Sequence, residues 1–428
     1  MSPSPAEPSI APAGRSLRAR QTIALALLFA AGLVNFFDRS SLSIANTTVR
    51  AQMHLNATEM GWLLSAFSLA YGVAQLPLIG LLDRRGVRAT LGFGLVLWSA
   101  AQLLTGFVRT LPQFLSLRVL LGVGEAPFYP AGVRSVREWF TPAARARATA
   151  LMSSSQTIGL AIAPPVLAWI MLRVGWRAMF ALLGVAGLAV AVVWNVLYRE
   201  RARTDWAAVQ PAPTAAPTAA PSPAAALKML LGQRTAWGMM LGWGGVNYTV
   251  WLYLAWLPGY LQEQRHLSLA RTGWVAAVPF LCGALGMFAS GILSDARVRA
   301  GVPATRVHRV NIVTGMIASS ASTWLVARSG STTAAVAGIG AALFCIHFAG
   351  TSGWGYVQTV SPLEYVASLG ALQNFAGWMI ASTAPVLTGW LVDHTHSFNL
   401  ALTVCSAVTL LGAVSYATLA APHGRLHT

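Results

Sequence analysis

Stretches of about twenty mostly apolar residues follow one another along nearly the whole of this chain, and no other feature constrains its fold so tightly. A helix needs about 20 such residues to cross a bilayer. By that rule twelve segments qualify: 22–48, 59–81, 89–108, 112–132, 147–172, 176–198, 235–261, 271–293, 307–327, 332–359, 367–391 and 398–420. In hydrocarbon every backbone N–H and C=O must be satisfied internally, which for segments of this length means helices. The expected fold is an all-α polytopic membrane protein with twelve transmembrane helices. Composition agrees: 55% of the 428 residues are hydrophobic and only 10% are charged, against roughly a quarter charged in soluble domains.

The net charge of +17 raises nucleic acid as a partner. The basic residues, however, are spread between apolar spans rather than clustered on a polar domain, so no nucleic-acid partner is expected. They sort by membrane side instead. Arg84, Arg85, Arg88, Arg134, Arg137, Arg145, Arg147, Arg199, Lys228, Arg234, Arg297, Arg299, Arg306 and Arg309 fall on the side of the N-terminus, and only scattered arginines fall on the other. The excess predicts cytoplasmic termini and an even number of spans. Cys282, Cys345 and Cys405 lie inside apolar runs with neither pairing logic nor metal spacing. No cofactor is expected, and the lipid bilayer is the main structural partner of a chain expected to act as a monomer.

A Pro/Ala-rich stretch from Pro211 to Pro223 divides the chain. Such a low-complexity segment cannot bury a core. The predicted organisation is a disordered cytoplasmic tail over 1–21, a six-helix half over 22–198, a cytoplasmic linker over 199–234, a second six-helix half over 235–420 and a tail over 421–428. The halves echo each other. The loop after span 2 contains Leu82-Asp83-Arg84-Arg85-Gly86-Val87-Arg88, and the one after span 8 contains Leu293-Ser294-Asp295-Ala296-Arg297. Pro165-Val166-Leu167 in span 5 is matched by Pro385-Val386-Leu387 in span 11. Two pseudo-symmetric six-helix halves place a transport site between them, near the midplane.

Charged residues at that depth are few enough to sort one by one. Of twelve acidic residues, only Asp38 and Glu125 lie deep in spans; of the basic ones, only Arg39 and Arg118. Each central charge costs roughly 2.5–3.5 kcal/mol on insertion scales, so such residues are functional candidates. All four belong to spans 1 and 4. Arg118 and Glu125 stand two turns apart on one helix face, about 10 Å along the axis. A static ion-pair network locking the two helices is the competing reading, but charges are costly glue where apolar packing would serve. His347 in span 10 has two readings, a proton relay and an interhelical hydrogen bond. Tyr71 and Gln75 in span 2, Gln156 in span 5, Asn247, Tyr248 and Trp251 in span 7, Thr351, Trp354 and Gln358 in span 10, and Gln373 and Asn374 in span 11 fit either a central polar cavity or ordinary interhelical hydrogen bonds and interface aromatics.

These residues carry a resemblance. The paired halves and Asp83-Arg84-x-Gly86-x-Arg88 look like the major facilitator superfamily. Asn35-x-x-Asp38-Arg39-x-x-Leu42-Ser43, Gln75-x-Pro77, Arg118-x-x-x-Gly122-x-x-Glu125-x-x-x-Tyr129-Pro130, Trp139-Phe140-x-Pro142 and Trp256-Leu257-Pro258-x-Tyr260-Leu261 resemble its anion:cation symporter family. That family includes sialin and bacterial galactonate, glucarate, hexuronate and phthalate transporters. The resemblance implies a proton-coupled importer of a small organic anion, with Asp38 and Glu125 linked to protons and Arg39 and Arg118 to the anion. It implies pocket roles for Tyr71, Gln156, Thr351, Trp354 and Asn374, and a cytoplasmic gate at Asp83, Arg84, Gly86, Arg88 and Asp295. Phe36 stands where the family usually has tyrosine, and Thr351 where sugar-acid members often have serine. Ile79 replaces the first glycine of the superfamily loop, and Ala144 replaces an acidic residue.

The expected mechanism is alternating access. Ionised Asp38 is expected to hold Arg39 or Arg118 as an ion pair, and protonation to free that arginine for a substrate carboxylate. Glu125 is expected to take its proton separately and gate the return. Two protons per monoanion would carry one net positive charge inward. A sugar acid would use an arginine with Gln156, Thr351 and Asn374; an aromatic or small dicarboxylic acid would favour Phe36, Trp251 and Trp354. A proton-coupled drug antiporter is a rival, but span 5 lacks the Gly-Pro-x-x-Gly-Gly pattern and two buried arginines suit anions. A transporter-like sensor would need an added domain. The chain has no nucleophile–base pattern, metal cluster or phosphate loop, so no enzyme is expected.

Overall fold

The computed structural model describes residues 15–200, 223–362 and 365–420, and among these it is helical with no strand. In chain order the helices are α1 (Arg15–Met53), α2 (Ala57–Thr105), α3 (Leu111–Glu125), α4 (Phe128–Trp139), α5 (Pro142–Leu197), α6 (Pro223–Leu231), α7 (Arg234–Glu263), α8 (Leu269–Arg299), α9 (Ala304–Arg328), α10 (Thr332–Val360), α11 (Val366–Ala381), α12 (Thr383–Thr395) and α13 (Asn399–Thr418).

Leaving aside the nine-residue α6, the other twelve helices make twelve spans. Two of them each hold a pair of spans: α2 turns at Gly86, with φ 77°, and α5 turns at Gly175, with φ 78°. Both glycines sit in the left-handed region that other residues avoid. The reversal at Gly86 is visible in the packing. Before it, Leu63 and Phe67 lie beside Arg118 and Gly122 in the same order; after it, Gly94 lies against Pro127 and Trp98 against Gly124, in the opposite order. Conversely, α3 with α4 is one span broken before Pro127, and α11 with α12 is one span broken at Ser382.

Two predicted boundaries move. Helix α1 begins at Arg15, inside the stretch assigned to the tail, and Gln21 donates to the Trp139 carbonyl at 2.7 Å. Apolar content marks only the part of a helix in hydrocarbon, and α1 continues into polar surroundings. The end of the linker forms α6, opened by Pro223 at a position where a missing N–H costs nothing, with Ala226 and Leu230 buried. The rest of the tails and linker lies outside the described residues.

The outer surface is apolar. Phe93, Phe288, Ile292 and Leu411 are each about two-thirds exposed, as a bilayer requires. The halves, residues 15–200 and 223–420, meet unevenly. We call the end bearing the start of α1, the Gly86 turn and α6 the linker end, and the opposite end the far end. At the far end Ser43 donates to the Ala255 carbonyl (2.9 Å), Thr47 to Gln262 (2.9 Å), and Arg50 pairs with Glu263. The Asp393 carboxylate accepts from the backbone N–H groups of Ala57 and Thr58, at 2.9 and 2.7 Å, and from the Thr58 hydroxyl at 2.5 Å. Reciprocally, Ser65 accepts from Val386 N–H at 3.2 Å. Each half thus satisfies orphan amides at a helix start in the other. Gly61 and Gly389 let backbones touch there: a Cβ would come within 2.5 Å of the Pro385 carbonyl oxygen or 2.1 Å of that of Ala57. Toward the linker end the halves part around a cavity.

Candidate functional site

The cavity measures about 250 Å³ and is lined from both halves. Helix α1 presents Asn35, Phe36 and Arg39, and α2 presents Tyr71 and Gln75. Positions 35 and 39 are one turn apart, as are 71 and 75, so each pair shares a face. Helices α4 and α5 add Tyr129, Ser153 and Gln156; α10 adds Trp354; α11 adds Asn374 and Trp378. Asn374 donates to Gln75 at 2.9 Å, a polar tie between the halves at the cavity itself. A second cavity of about 380 Å³ shares Gln75, Pro130, Trp354 and Asn374 with the first and is otherwise mainly apolar.

Arg39 is the charged group on this wall. Its Nε donates to Glu125 Oε2 at 2.8 Å, with the carboxylate wholly buried. The guanidinium is ringed by Tyr71 at 4.8 Å, Phe36 at 5.1 Å, Phe67 at 5.2 Å and Trp378 at 5.9 Å from the ring centroids. Aromatic faces hold a cation without neutralising it. Trp251 stacks on Phe67 and meets Trp378 edge-on, so the cage closes with rings from both halves.

The expected pairing of Asp38 with an arginine is corrected. The direct ion pair is Arg39–Glu125, joining α1 to α3. Asp38 is wholly buried, and its carboxylate oxygens have no hydrogen-bond partner among the described residues. It feels the charges of Glu125, Arg118 and Arg39 without bonding to them. A residue and its immediate neighbour on a helix point about 100° apart, so Asp38 does not share the face on which Arg39 meets Glu125. Arg118 donates to the Leu63 carbonyl at 3.3 Å and lies over Phe67 at 5.1 Å, which puts one phenyl ring beside both guanidiniums.

The other named residues divide clearly. Tyr71, Gln156, Trp354 and Asn374 line the cavity with Arg39; Arg118 and Thr351 do not. The Thr351 hydroxyl donates to the His347 carbonyl of its own helix at 3.1 Å. His347 Nδ1 contacts the Leu343 carbonyl at 2.9 Å, and its ring packs on Gly283 of α8. Of the gate residues, Asp83 pairs with Arg134 at 2.9 Å, and Arg134 also holds Glu138 at 2.8 Å. A Cβ at Gly86 would strike the Glu200 carboxylate, which accepts from Arg88 N–H at 3.1 Å. Arg88 also donates to the Asn195 carbonyl at 2.5 Å. These bonds stay within the N-terminal half. Arg84 and Asp295 are exposed, the latter in the other half near His308. Sequence reasoning passed over Phe67, Ser153 and Trp378 because ordinary membrane helices are rich in such residues. Asn35 and Tyr129 stood in the quoted motifs without a role.

Residues 28–383 match the Major Facilitator Superfamily. The chain belongs to that superfamily. It is 47% identical over 400 residues to a probable L-galactonate transporter of Escherichia coli K12, covering 92% of this chain and 88% of that one. It is 31% identical over 416 residues to the probable galactarate/D-glucarate transporter GarP of the same organism, covering 92% and 93%. Among solved structures, a bacterial homologue of the human lysosomal transporter Spinster superposes with a TM-score of 0.73 at 16% identity, over 94% of this chain and 95% of that one. The superfamily member described here is thus a multi-pass membrane transporter rather than an enzyme.

Proposed function

We propose that this transporter imports a sugar acid of the hexonate, hexuronate or glucarate type together with protons, by alternating access across a bacterial inner membrane. The observation that carries the reading is the double engagement of Arg39, which lines the cavity and is bonded through Nε to Glu125. A substrate carboxylate and the Glu125 carboxylate compete for one guanidinium. Protonation of Glu125 removes the competitor and leaves a cation facing the cavity, ready for a charge-assisted, bidentate contact. Gln75, Gln156, Asn374 and Tyr129 supply neutral donors and acceptors for hydroxyl groups. The names of the relatives, a probable L-galactonate transporter and a probable galactarate/D-glucarate transporter, support the same substrate class.

With the linker end facing the cytoplasm, the cavity opens inward and the far end is the closed outer gate. Asp38, buried beside the same field, is the second proton-linked carboxyl. Substrate release inward re-forms the Arg39–Glu125 pair as the proton leaves. Protein reconstituted into liposomes, given a pH gradient and a panel of organic acids, tests this directly: acid-outside accumulation of L-galactonate or D-glucarate is expected. Accumulation that ignores the pH gradient sinks the coupling, and silence toward every sugar acid sinks the substrate class. Phe36, Trp354 and Trp378 on the cavity wall favour a second reading, an aromatic or small dicarboxylic acid, so phthalate belongs in the panel.

A further inference from the structure

Asn35 stands between the proton site and the substrate site. Its side chain is wholly buried yet lines the cavity, one turn from Arg39 on the same face of α1. Neither Nδ2 nor Oδ1 has a hydrogen-bond partner among the described residues, and neither does Glu125 Oε1, the oxygen that Arg39 leaves free. The carboxamide nevertheless lies near enough to the Glu125 carboxylate to interact with it. Three buried polar atoms without a hydrogen-bond partner thus lie on two neighbouring side chains. Such atoms are costly to leave unpaired, and a rotation of one amide about its last torsion pairs two of them. The charged and titratable groups facing this pair are Asp38 and Arg39 from α1, Tyr71 from α2, Arg118 and Glu125 from α3, and Tyr129 from α4. The C-terminal half faces it with neutral groups, Trp354, Asn374 and Trp378.

We propose that the Asn35 carboxamide is a positioning residue that converts the protonation state of Glu125 into affinity for the substrate anion. An amide has a donor end and an acceptor end. When Glu125 is ionised, Asn35 Nδ2 donates to Oε1 and Oδ1 faces the cavity, where it opposes a carboxylate oxygen. When Glu125 carries a proton on Oε1, its O–H donates to Asn35 Oδ1 and Nδ2 turns to the cavity as a donor. The anion therefore meets two donors, Arg39 and Asn35, only in the protonated state. The proton stays on Glu125 throughout; Asn35 changes orientation, not charge. This role rests on the sugar-acid reading and deepens it.

The test is binding of L-galactonate to the purified protein by calorimetry between pH 5 and 8, with thermal unfolding as a check on folding. For the wild type, affinity is expected to weaken as pH rises. In Asn35→Leu, close in volume and without the amide, affinity should fall about tenfold at the acid end, the value of one charge-assisted hydrogen bond, and should not fall at the alkaline end, where the opposing Oδ1 is removed. Asn35→Ser, whose hydroxyl also donates and accepts, should restore part of the pH slope. An equal loss at every pH in Asn35→Leu, or a wild-type slope surviving in both folded variants, overturns the role of Asn35 and leaves the sugar-acid reading standing. A wild-type protein that binds no sugar acid at any pH overturns that reading instead.

Discussion

The N-terminal half holds every acidic residue and arginine described in the membrane core: Asp38, Arg39, Arg118 and Glu125. The C-terminal half answers with neutral groups, Trp251, Trp354, Asn374 and Trp378, while its described charges sit at helix ends. Pseudo-symmetric halves need not carry symmetric chemistry. Keeping all four charges on two adjacent helices lets them neutralise one another in a single rigid unit, so the costly burial of charge does not change when the halves rock. Contacts that must form and break between halves are then left to aromatic rings and amides, whose energies are modest. On the proposed reading, the proton is handled by one half and the substrate is shared.

Four experiments strain this division, from the largest expected effect to the smallest. Arg39→Lys keeps the charge but loses the planar fork and the aromatic stacking; sugar-acid uptake should fall by at least about a hundredfold. Next, Glu125→Gln mimics the protonated carboxyl. Accumulation driven by a pH gradient should vanish, while exchange of labelled for unlabelled substrate continues and loses its dependence on pH. Wild-type exchange should quicken as pH falls, because the protonated state releases Arg39, so a flat profile in the variant is the diagnostic sign. Asn374→Ala removes a neutral group of the other half and the bond to Gln75; KM should rise about tenfold with accumulation still coupled to protons. A loss of coupling there would mean that the halves share the proton after all. Last, Thr351→Ser should alter KM less than about twofold, since its hydroxyl is turned to its own helix.

The twelve spans were legible because each is long and apolar, and the two-half plan because its loops and prolines repeat. So were the four buried charges, found by elimination. Their pairing was not legible. That Arg39 meets Glu125 while Asp38 does not depends on the rotation of α1 and on the depth of α3 relative to it, and neither leaves a trace in hydropathy. The aromatic cage escaped for a related reason: Phe67 and Trp378 read as ordinary membrane residues until the helices that carry them are brought together. Of the residues expected at the gate, Asp83 finds its arginine, Arg134, in its own half, a partner that spacing along the chain does not mark.

Asp393 gives the far end one more property. The first amides of α2 have a full set of acceptors only while the halves are closed there. Ala57 and Thr58 use Asp393, and Glu59 uses the Asn56 side chain in a local capping box. Separating the halves leaves the local box in place and strips the two leading amides of their acceptor. Under the proposed alternating access, each outward opening is also a small fraying event, and amide hydrogen exchange at 57 and 58 is expected to follow the transport cycle. In effect the chain carries a clock on its own backbone, which substrate and pH should slow or quicken without any label being attached.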